Sequence, residues 1–353
     1  MTEQMEKSFQ ILQPNGALQP ENRYILSEKD LQTLYFTINQ TRQFDLKAIA
    51  LQRTGRLRTF PSSYGQEAIF ATCGLLMHAD DVYCPYYRDQ AALMQRGMSM
   101  TALLQYWGGD ERGSSQPSQG KDFPICIPIA SQCLHAVGAA YAMQYQHKKQ
   151  AVVTTIGEGG TSKGDFYEAL NMAALHQLPV VFIVNNNQWA ISTPAAQQTA
   201  TVQFADKAKA ANIDAYRIDG NDVFILHKTI KHALEKAYAQ NGPTLIEAVT
   251  YRLCDHTTAD DASRYDNAQQ KYVAEQLEPL IRLRNYLYQQ NWWSDEQELS
   301  MQQRIQQSID EATAAYLDMP AIQAQEIMTH LFQNAPASIV AQQRELEQMH
   351  DYD

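Results

Sequence analysis

Apolar residues recur at helical spacing over a long segment that starts close to Ser27. Leu31, Leu34 and Ile38 follow one another at intervals of three and four residues, which is the spacing of one face of an amphipathic helix. Ser27 fits the N-cap position, and Asp30 stands three residues later, where its side chain can complete a capping box. The pattern therefore predicts a long helix that begins after Ser27.

The middle of the chain alternates short apolar runs with longer helical patterns. The predicted strands are 151–156, 180–184, 215–218 and 244–251, and the predicted helices between them are 166–176 and 224–239. Strands that alternate with helices form a parallel sheet that is covered on both faces. The fold class is therefore α/β, with a mainly parallel sheet flanked by helices.

These patterns divide the chain into three segments. Residues 1–28 are polar and carry the turn signal Pro14-Asn15-Gly16, so we expect an N-terminal arm outside the core. Residues 29–275 hold all the predicted strands and form the α/β domain. The strand signals then stop, and residues 276–353, rich in Gln and Glu, are predicted to form a helical C-terminal extension.

Composition and charge narrow the class of protein. A net charge of −11 over 353 residues argues against a nucleic acid bound through phosphate neutralisation. No apolar run approaches the ~20 residues that cross a bilayer, and the N-terminus lacks the apolar core of a signal peptide. The five cysteines are scattered, with no Cys-x-x-Cys pair. We therefore expect a cytoplasmic protein without a disulfide framework and without a membrane or nucleic-acid partner.

Candidate chemistry begins where the strand at 151–156 ends. Gly157-Glu158-Gly159-Gly160 follows that strand and precedes a helix, which is where parallel sheets bind ligands and where a helix N-terminus attracts phosphate. A Walker A loop is excluded because Lys163 precedes Gly164 instead of following it. The dinucleotide fingerprint is excluded because Ser162 stands at its third glycine. The stretch predicts a phosphate site of another kind.

The next predicted strand is followed by Asn186-Asn187. Because adjacent parallel strands end at the same edge of a sheet, we expect Glu158 and Asn187 to meet there. A carboxylate, an amide oxygen and a backbone carbonyl suit Mg²⁺, which completes its coordination with phosphate oxygens and water. The two strand ends together predict a metal-bound diphosphate.

These motifs resemble the signature of thiamine diphosphate enzymes. The stretches 157–171 and 186–193 are similar to the alpha subunit of 2-oxo acid dehydrogenases, the decarboxylating component of the pyruvate and branched-chain 2-oxo acid dehydrogenase complexes. The resemblance covers nearly the whole chain and includes 64–68, 86–89 and 251–261. The two motifs alone are moderately specific, and with these flanks the resemblance is strong.

The resemblance implies thiamine diphosphate and Mg²⁺ as cofactors and assigns residues to them. The implied metal ligands are the side chains of Glu158 and Asn187 and the backbone carbonyl of Trp189. His256, in an active-site loop, is implied to touch the diphosphate and to help the acyl-transfer step as the catalytic residue. The further implied cofactor contacts are Tyr87, Arg88, Gly157, Gly159, Gly160, Ala190, Ile191 and Ile129, the last beside the aminopyrimidine ring.

Four positions depart from the family pattern. Many relatives carry Asp where this chain has Glu158, and some branched-chain enzymes carry Glu, so metal binding is still expected. Asn185 stands where some relatives place an arginine on the diphosphate. Cys126 and Ser131 replace residues that in some relatives help to hold a potassium ion, so the resemblance does not assign that ion to this chain.

The resemblance also implies partners, because this chain shows only one half of a thiamine site. A separate beta subunit is implied to supply the glutamate that activates the aminopyrimidine, in a heterotetramer of two alpha and two beta subunits docked on the lipoyl-bearing acyltransferase. The phrase at 160–168 favours pyruvate slightly over branched-chain 2-oxo acids, and acetoin dehydrogenase is a third possibility. A phosphate-binding NTPase or a non-catalytic scaffold represents a different class.

Several side chains also have simple structural interpretations. Arg88 could form an ion pair with Asp89 instead of binding an anion. His135, in a helical pattern of small residues, is expected to be a packed structural histidine. Trp292 and Trp293 are expected in the core or in an interface.

Overall fold

A computed structural model of the chain describes residues 10–115, 121–323, 326–329 and 331–350. Its centre is a five-stranded sheet with the order β1-β2-β3-β7-β6, in which every neighbouring pair is parallel. Strands β4 and β5 form a separate antiparallel pair. The strands are β1 Val82–Cys84, β2 Val152–Gly157, β3 Val180–Asn186, β4 Trp189–Ala190, β5 Thr193–Pro194, β6 Asp214–Asp219 and β7 Thr244–Val249.

Helices cover both faces of the sheet. The α-helices are α1 Glu28–Arg53, α2 Glu67–Leu76, α3 Gln90–Gln95, α4 Met100–Trp107, α5 Ser131–Tyr145, α6 Gly164–Leu175, α7 Val223–Tyr238, α8 Ala268–Glu275, α9 Pro279–Gln289, α10 Asp295–Leu317, α11 Glu326–Thr329 and α12 Ala337–His350. The short 3-10 helices are Glu111–Ser115, Glu158–Ser162, Ala195–Gln197, Phe204–Ala211 and Ala262–Arg264. None of the helices in the described ranges is long and apolar enough to cross a membrane.

Alternation along the central strands separates the core into two layers. Val153 and Val181 belong to the cluster that contains α1, α2 and α7. Val152 and Phe182, one position away along the same strands, belong to the cluster that contains α5 and α6. Because successive side chains of a strand point to opposite faces, a continuous apolar run builds both layers at once. The α/β class predicted from the sequence is confirmed.

Most of the predicted elements are present. Every strand predicted from the apolar runs is found, and the helices between them begin and end within two residues of the expected bounds. Helix α1 begins directly after Ser27, whose hydroxyl oxygen accepts the N–H of Asp30 at 3.1 Å. Strand β1 was not predicted, because its apolar run is only three residues long.

The N-terminal segment differs from the expected arm. Ile11 and Leu12 are 2% and 0% exposed and belong to the main core cluster. Their backbone N–H groups donate to the Asp222 carboxylate at 2.5 and 2.7 Å, which also caps helix α7. The expectation that this segment lies outside the core is therefore wrong for its described part. Residues 1–9 lie outside the described ranges, and the boundary at residue 28 stays a prediction.

The C-terminal region is helical from α9 to α12, as predicted, and no strand follows β7 within the described ranges. Leu283 and Leu287 of α9 and Ile305 of α10 lie in the same cluster as helix α1. Trp292 and Trp293 pack against that cluster, half-buried, which confirms their expected place. Helices α9 and α10, the first of the extension, therefore form part of the core.

Candidate active site

A cavity of about 380 Å³ opens beside the carboxyl ends of β2 and β3. Gly157 and Asn185 are paired across these two strands, so the polar turns that follow them lie side by side. All the residues that the sequence assigned to the cofactor line this cavity. They are Tyr87, Arg88, Ile129, Gly157, Glu158, Gly159, Gly160, Asn187, Trp189, Ala190, Ile191 and His256.

Glu158 places a carboxylate at the base of this cavity. It opens the 3-10 turn Glu158–Ser162, the glycine turn, and is only 1% exposed. The amide of Gln198 donates to its Oε1 at 3.3 Å. Burial raises the pKa of the Glu158 carboxyl above its usual range, although Gln198 and the backbone of Asn187 oppose the shift. A nearby cation favours the ionised form of such a group, so this carboxylate is suited to a cation.

Asn187 is held in one orientation by its neighbours. Its Nδ2 donates to Gln66 Oε1 at 2.8 Å, while its Oδ1 accepts the N–H of Trp189 at 3.2 Å. An amide oxygen has two lone pairs, so Oδ1 retains one for another partner. The expected meeting of Glu158 and Asn187 at the sheet edge is confirmed as geometry.

The loop after Asn187 is strained where it lines the cavity. Gln188 and Ile191 have φ angles of 73° and 55°, in the left-handed region that a β-branched residue such as isoleucine rarely occupies. Arg252 supports the loop by donating to the carbonyls of Trp189 at 3.4 Å and of Ile191 at 2.8 Å. Such strained positions persist where surrounding contacts hold them, often at functional sites.

Arg88 is 1% exposed and lines the cavity. It donates to the carbonyl of Ser62 at 2.6 Å and to the carbonyl of His256 at 2.7 Å. Asp89 instead accepts hydrogen bonds from Tyr83, Tyr86 and Thr155. The simple alternative, an ion pair between Arg88 and Asp89, is therefore not formed.

His256 is a neutral imidazole in this environment. Its Nδ1 lies 3.0 Å from Nη2 of Arg88, and a guanidinium can only donate, so Nδ1 accepts and the ring proton is on Nε2. Burial first, and then the charges of Arg88 and Arg252, lower the pKa of His256 to about 3. Its backbone N–H donates to Asp260 at 2.8 Å, which holds the loop in place.

The low pKa of His256 predicts a loss of stability in acid. An unfolded histidine takes up a proton below pH ~6.5, whereas this one stays neutral down to about pH 3. Its contribution to the free energy of unfolding is therefore complete above pH ~6.5 and is lost as the pH falls towards 3. Thermal melts of the wild type and His256→Asn between pH 8 and 5 should converge as the pH falls. A Tm difference that is constant with pH would contradict this assignment.

The glycines of the site have two different reasons to be glycine. At Gly159 a Cβ would stand 2.4 Å from the Cβ of Ala190, so packing within the chain excludes any side chain. At Gly157 a Cβ would meet only the ring of Tyr86, at 3.8 Å, and the φ of −68° suits any residue. Gly157 also lines the cavity, so a side chain there would compete for space with a ligand.

This contrast predicts separate effects of two alanine substitutions. Gly159→Ala should lower the Tm, because overpacking costs ~1–3 kcal/mol. Gly157→Ala should leave the Tm of the ligand-free protein unchanged but should raise the Kd of the cofactor several-fold. Calorimetric binding and thermal melts on both variants check this. A Gly157→Ala protein that melts early but binds normally would reverse the assignment.

His135 and Asn185, two residues near the site, have environments that the sequence did not reveal. His135 is exposed, with its ring stacked on Phe123 at 5.6 Å, so the expectation of a packed histidine is wrong. It lies on the outer face of α5, which a pattern of small residues cannot distinguish from the inner one.

Asn185 is completely buried and donates to Gln66 and Tyr86, both at 2.7 Å. It supports the sheet edge and does not line the cavity.

Sequence reasoning missed three supporting residues. Gln66 and Gln198 orient the side chains of Asn187 and Glu158, and Lys207 contacts the glycine turn through Thr161. Gln66 lies within a stretch that carried the family resemblance, but the other two stand in segments without a recognisable motif. Only tertiary structure brings them to the site.

Across the described ranges, no group of three or more His, Cys, Asp or Glu side chains could hold a metal.

Comparison with known proteins defines the class of this fold and site. The family model described as "Dehydrogenase E1 component" matches residues 37–324. The chain belongs to this family, the thiamine diphosphate-dependent E1 component of 2-oxo acid dehydrogenases.

Individual relatives refine the comparison. The chain is 36% identical to the pyruvate dehydrogenase E1 component subunit alpha of Mycoplasma genitalium, over 95% of this chain and 94% of the relative. It is 37% identical to the 3-methyl-2-oxobutanoate dehydrogenase subunit alpha of Mycobacterium tuberculosis, over 96% and 92%. It is 32% identical to the pyruvate dehydrogenase E1 component subunit alpha of Staphylococcus aureus, over 97% and 93%. The relatives are alpha subunits that differ in substrate.

Proposed function

We propose that this chain is the alpha subunit of a pyruvate dehydrogenase, which decarboxylates pyruvate oxidatively and acetylates the lipoyl group of an acyltransferase. One observation carries the proposal. The residues expected to hold thiamine diphosphate come from distant parts of the chain, 87–88, 129, 157–160, 187, 189–191 and 256, and all line one cavity. A non-catalytic scaffold has no need for this convergence.

The residues present fit a metal-bound diphosphate. The buried carboxylate of Glu158 has one side-chain donor, Gln198 at 3.3 Å, and no ion pair among the described contacts, so a cation would stabilise its charged form. With Asn187 Oδ1 and the Trp189 carbonyl it offers Mg²⁺ three oxygen ligands, and phosphate oxygens and water can supply the rest. Arg88 and His256 lie where they can donate to the diphosphate oxygens.

The chain's own residues bind and orient the cofactor. Thiamine diphosphate supplies the electron sink for the loss of carbon dioxide, and the apolar side chains of Ile129, Ala190 and Ile191 can pack against its rings. The neutral His256, with its proton on Nε2, can donate a hydrogen bond to an anion without first losing a proton. This arrangement supports binding and positioning at the diphosphate end.

A second subunit is needed at the other end of the cofactor, where the aminopyrimidine ring lies. Helix α5, which starts beside the cavity residue Ile129, exposes Leu134 and Tyr145, and helix α6 exposes Tyr167 and Leu175. Large apolar side chains exposed on neighbouring helices mark interaction surfaces. This surface supports a beta subunit that completes the site, in an assembly of two alpha and two beta subunits that serves a lipoyl-bearing acyltransferase.

The test uses the chain purified together with its beta subunit. Isothermal calorimetry should detect binding of thiamine diphosphate that depends on Mg²⁺, and tight binding of ATP in its place would point to the NTPase alternative and contradict the proposal.

The substrate is tested by comparing kcat/KM for pyruvate and 3-methyl-2-oxobutanoate with an artificial electron acceptor. A pocket discriminates ~10-fold or more per methylene, so pyruvate should be preferred by at least that factor.

The branched-chain enzyme is the second candidate. It is favoured by the 37% identity to the mycobacterial relative and by Glu158, which some branched-chain enzymes share. A clear preference for 3-methyl-2-oxobutanoate in the same assay would select this candidate over pyruvate.

A further inference from the structure

A buried lysine lies beneath the glycine turn. Lys207 belongs to the 3-10 helix Phe204–Ala211, the brace segment, and is 5% exposed. Its Nζ donates to the carbonyl oxygen of Thr161 at 3.0 Å and to the hydroxyl of Thr161 at 2.8 Å. Lysine is almost never fully buried unless it is paired, yet both of these acceptors are neutral atoms of one residue. The burial of the Lys207 side chain is therefore unusual and needs a physical explanation.

Thr161 passes this contact on to the metal-binding end of the turn. Its hydroxyl donates to the carbonyl oxygen of Glu158 at 2.6 Å. A hydroxyl has one proton and two lone pairs, so the ammonium, which can only donate, commits that proton to Glu158. The chain of contacts runs from Lys207 through Thr161 to the residue whose carboxylate faces the cavity.

The brace segment is also tied to the second half of the site. The N–H of Ala205 donates to Oε2 of Glu247 at 2.9 Å, and Nδ2 of Asn186 donates to Oε1 of the same carboxylate at 2.7 Å. Glu247 is completely buried in β7. The brace segment therefore links the glycine turn after β2 with the Asn186-Asn187 turn after β3.

Two aromatic rings lie close to the Lys207 ammonium, and its burial has a desolvation cost. The Nζ lies 5.5 Å from the centre of the Tyr167 ring and 5.4 Å from that of Phe204, within the range of cation–π contacts. Burial lowers the pKa of Lys207 below its usual value. An apolar side chain of similar length would fill the same space without losing hydration, but it would leave the carbonyl oxygen of Thr161 without the donor that it has now at 3.0 Å. The hydrogen bonds to Thr161 are therefore what distinguishes the lysine from an apolar side chain at this position.

We propose that Lys207 is a positioning residue for the diphosphate site: through Thr161 it holds the glycine turn in the conformation that binds metal and diphosphate. The inference rests on the proposed function, since it assigns a supporting residue to the same cofactor site. Neither Lys207 nor Thr161 lines the cavity, so both act through the turn and not by contact with the cofactor.

The test compares Lys207→Met with Lys209→Met in the assembled enzyme. Lys209 lies in the same brace segment, but its side chain is 78% exposed and pairs with Asp206 at the surface. Lys207→Met should raise the Kd of thiamine diphosphate, measured by calorimetry with Mg²⁺, by about 10- to 100-fold, as loss of a supporting contact does at metal sites. Its Tm without cofactor should fall by a few degrees at most, because only the hydrogen bonds to Thr161 are lost, and Lys209→Met should match the wild type in both.

Two further variants separate positioning from general damage. Thr161→Val should weaken binding to a similar extent, and the double variant should be little worse than either single one, because the two residues act in one chain of contacts. Lys207→Arg, which keeps donors for both Thr161 oxygens, should restore part of the affinity. If Lys207→Met does not fold, Thr161→Val alone decides.

The outcomes distinguish this inference from the proposed function. An unchanged Kd in Lys207→Met, or in Thr161→Val where it alone decides, overturns the role of Lys207 while cofactor binding by the wild type still stands. Additive losses in the double variant contradict the relay through Thr161. Absence of magnesium-dependent binding in the wild type would instead remove the proposed function itself.

Discussion

Replacing Glu158 by alanine should lower kcat/KM of the assembled enzyme by more than ~100-fold. Glu158 is the only carboxylate among the expected metal ligands, so a water molecule that replaced it would restore an oxygen ligand but not the negative charge. The Kd of thiamine diphosphate in the presence of Mg²⁺ should rise by a comparable factor, because metal and diphosphate bind together. Steady-state kinetics and calorimetry on the same preparation check both effects.

Two substitutions control the Glu158 experiment. Glu311→Ala, at an exposed position of helix α10, should leave kinetics and binding unchanged. Glu158→Gln keeps an oxygen ligand but removes the charge, and it should retain part of the binding that alanine loses. If Glu158→Ala binds the cofactor and turns over normally, the metal site lies elsewhere and the assignment of Glu158 is wrong.

Arg88→Met should raise the Kd of thiamine diphosphate by about 10- to 100-fold, since a hydrogen bond to a charged group is worth ~1.5–3 kcal/mol. The arginine also holds His256, through its ring at 3.0 Å and its carbonyl at 2.7 Å. Loss of the guanidinium therefore affects two groups expected to contact the diphosphate. Calorimetry on the assembled enzyme measures the change.

A second readout tests whether Arg88 acts on His256 as the structure indicates. The charge of Arg88 is one cause of the low pKa of His256, so the pKa should rise in Arg88→Met. Arg88→Lys keeps the charge but not the two-pronged geometry, and should keep the pKa low while it restores the affinity only in part. An unchanged pKa in Arg88→Met, measured by titration of the histidine NMR signal, would contradict this coupling.

The sequence was sufficient for four of the five strands of the sheet and for the two turns that define the site. Continuous apolar runs at 151–156 and 180–184 have the signature of buried parallel strands, and adjacent parallel strands place Glu158 and Asn187 at one edge. The remaining cavity residues, such as Arg88 and His256, came only from the family resemblance. Spacing along the chain contains no information about where these loops return to the site.

The sequence was insufficient where burial depends on distant partners. The segment around Ile11 looked like a polar arm, and only its contact with Asp222 shows why it packs in the core. No motif in the sequence singles out Lys207, because Tyr167 and Thr161, which contact its ammonium, lie in another segment. Local patterns predict elements, whereas the environment of a polar side chain depends on the tertiary fold.

The central claim is that this chain holds one half of a thiamine diphosphate active site and that a second subunit holds the other. The most direct measurement is release of carbon dioxide from pyruvate, with Mg²⁺ and thiamine diphosphate present, by the purified chain, by its beta subunit and by the two mixed together. We predict no turnover above that of the free cofactor for either chain alone and robust turnover for the mixture. Robust turnover by the purified chain alone would contradict the account.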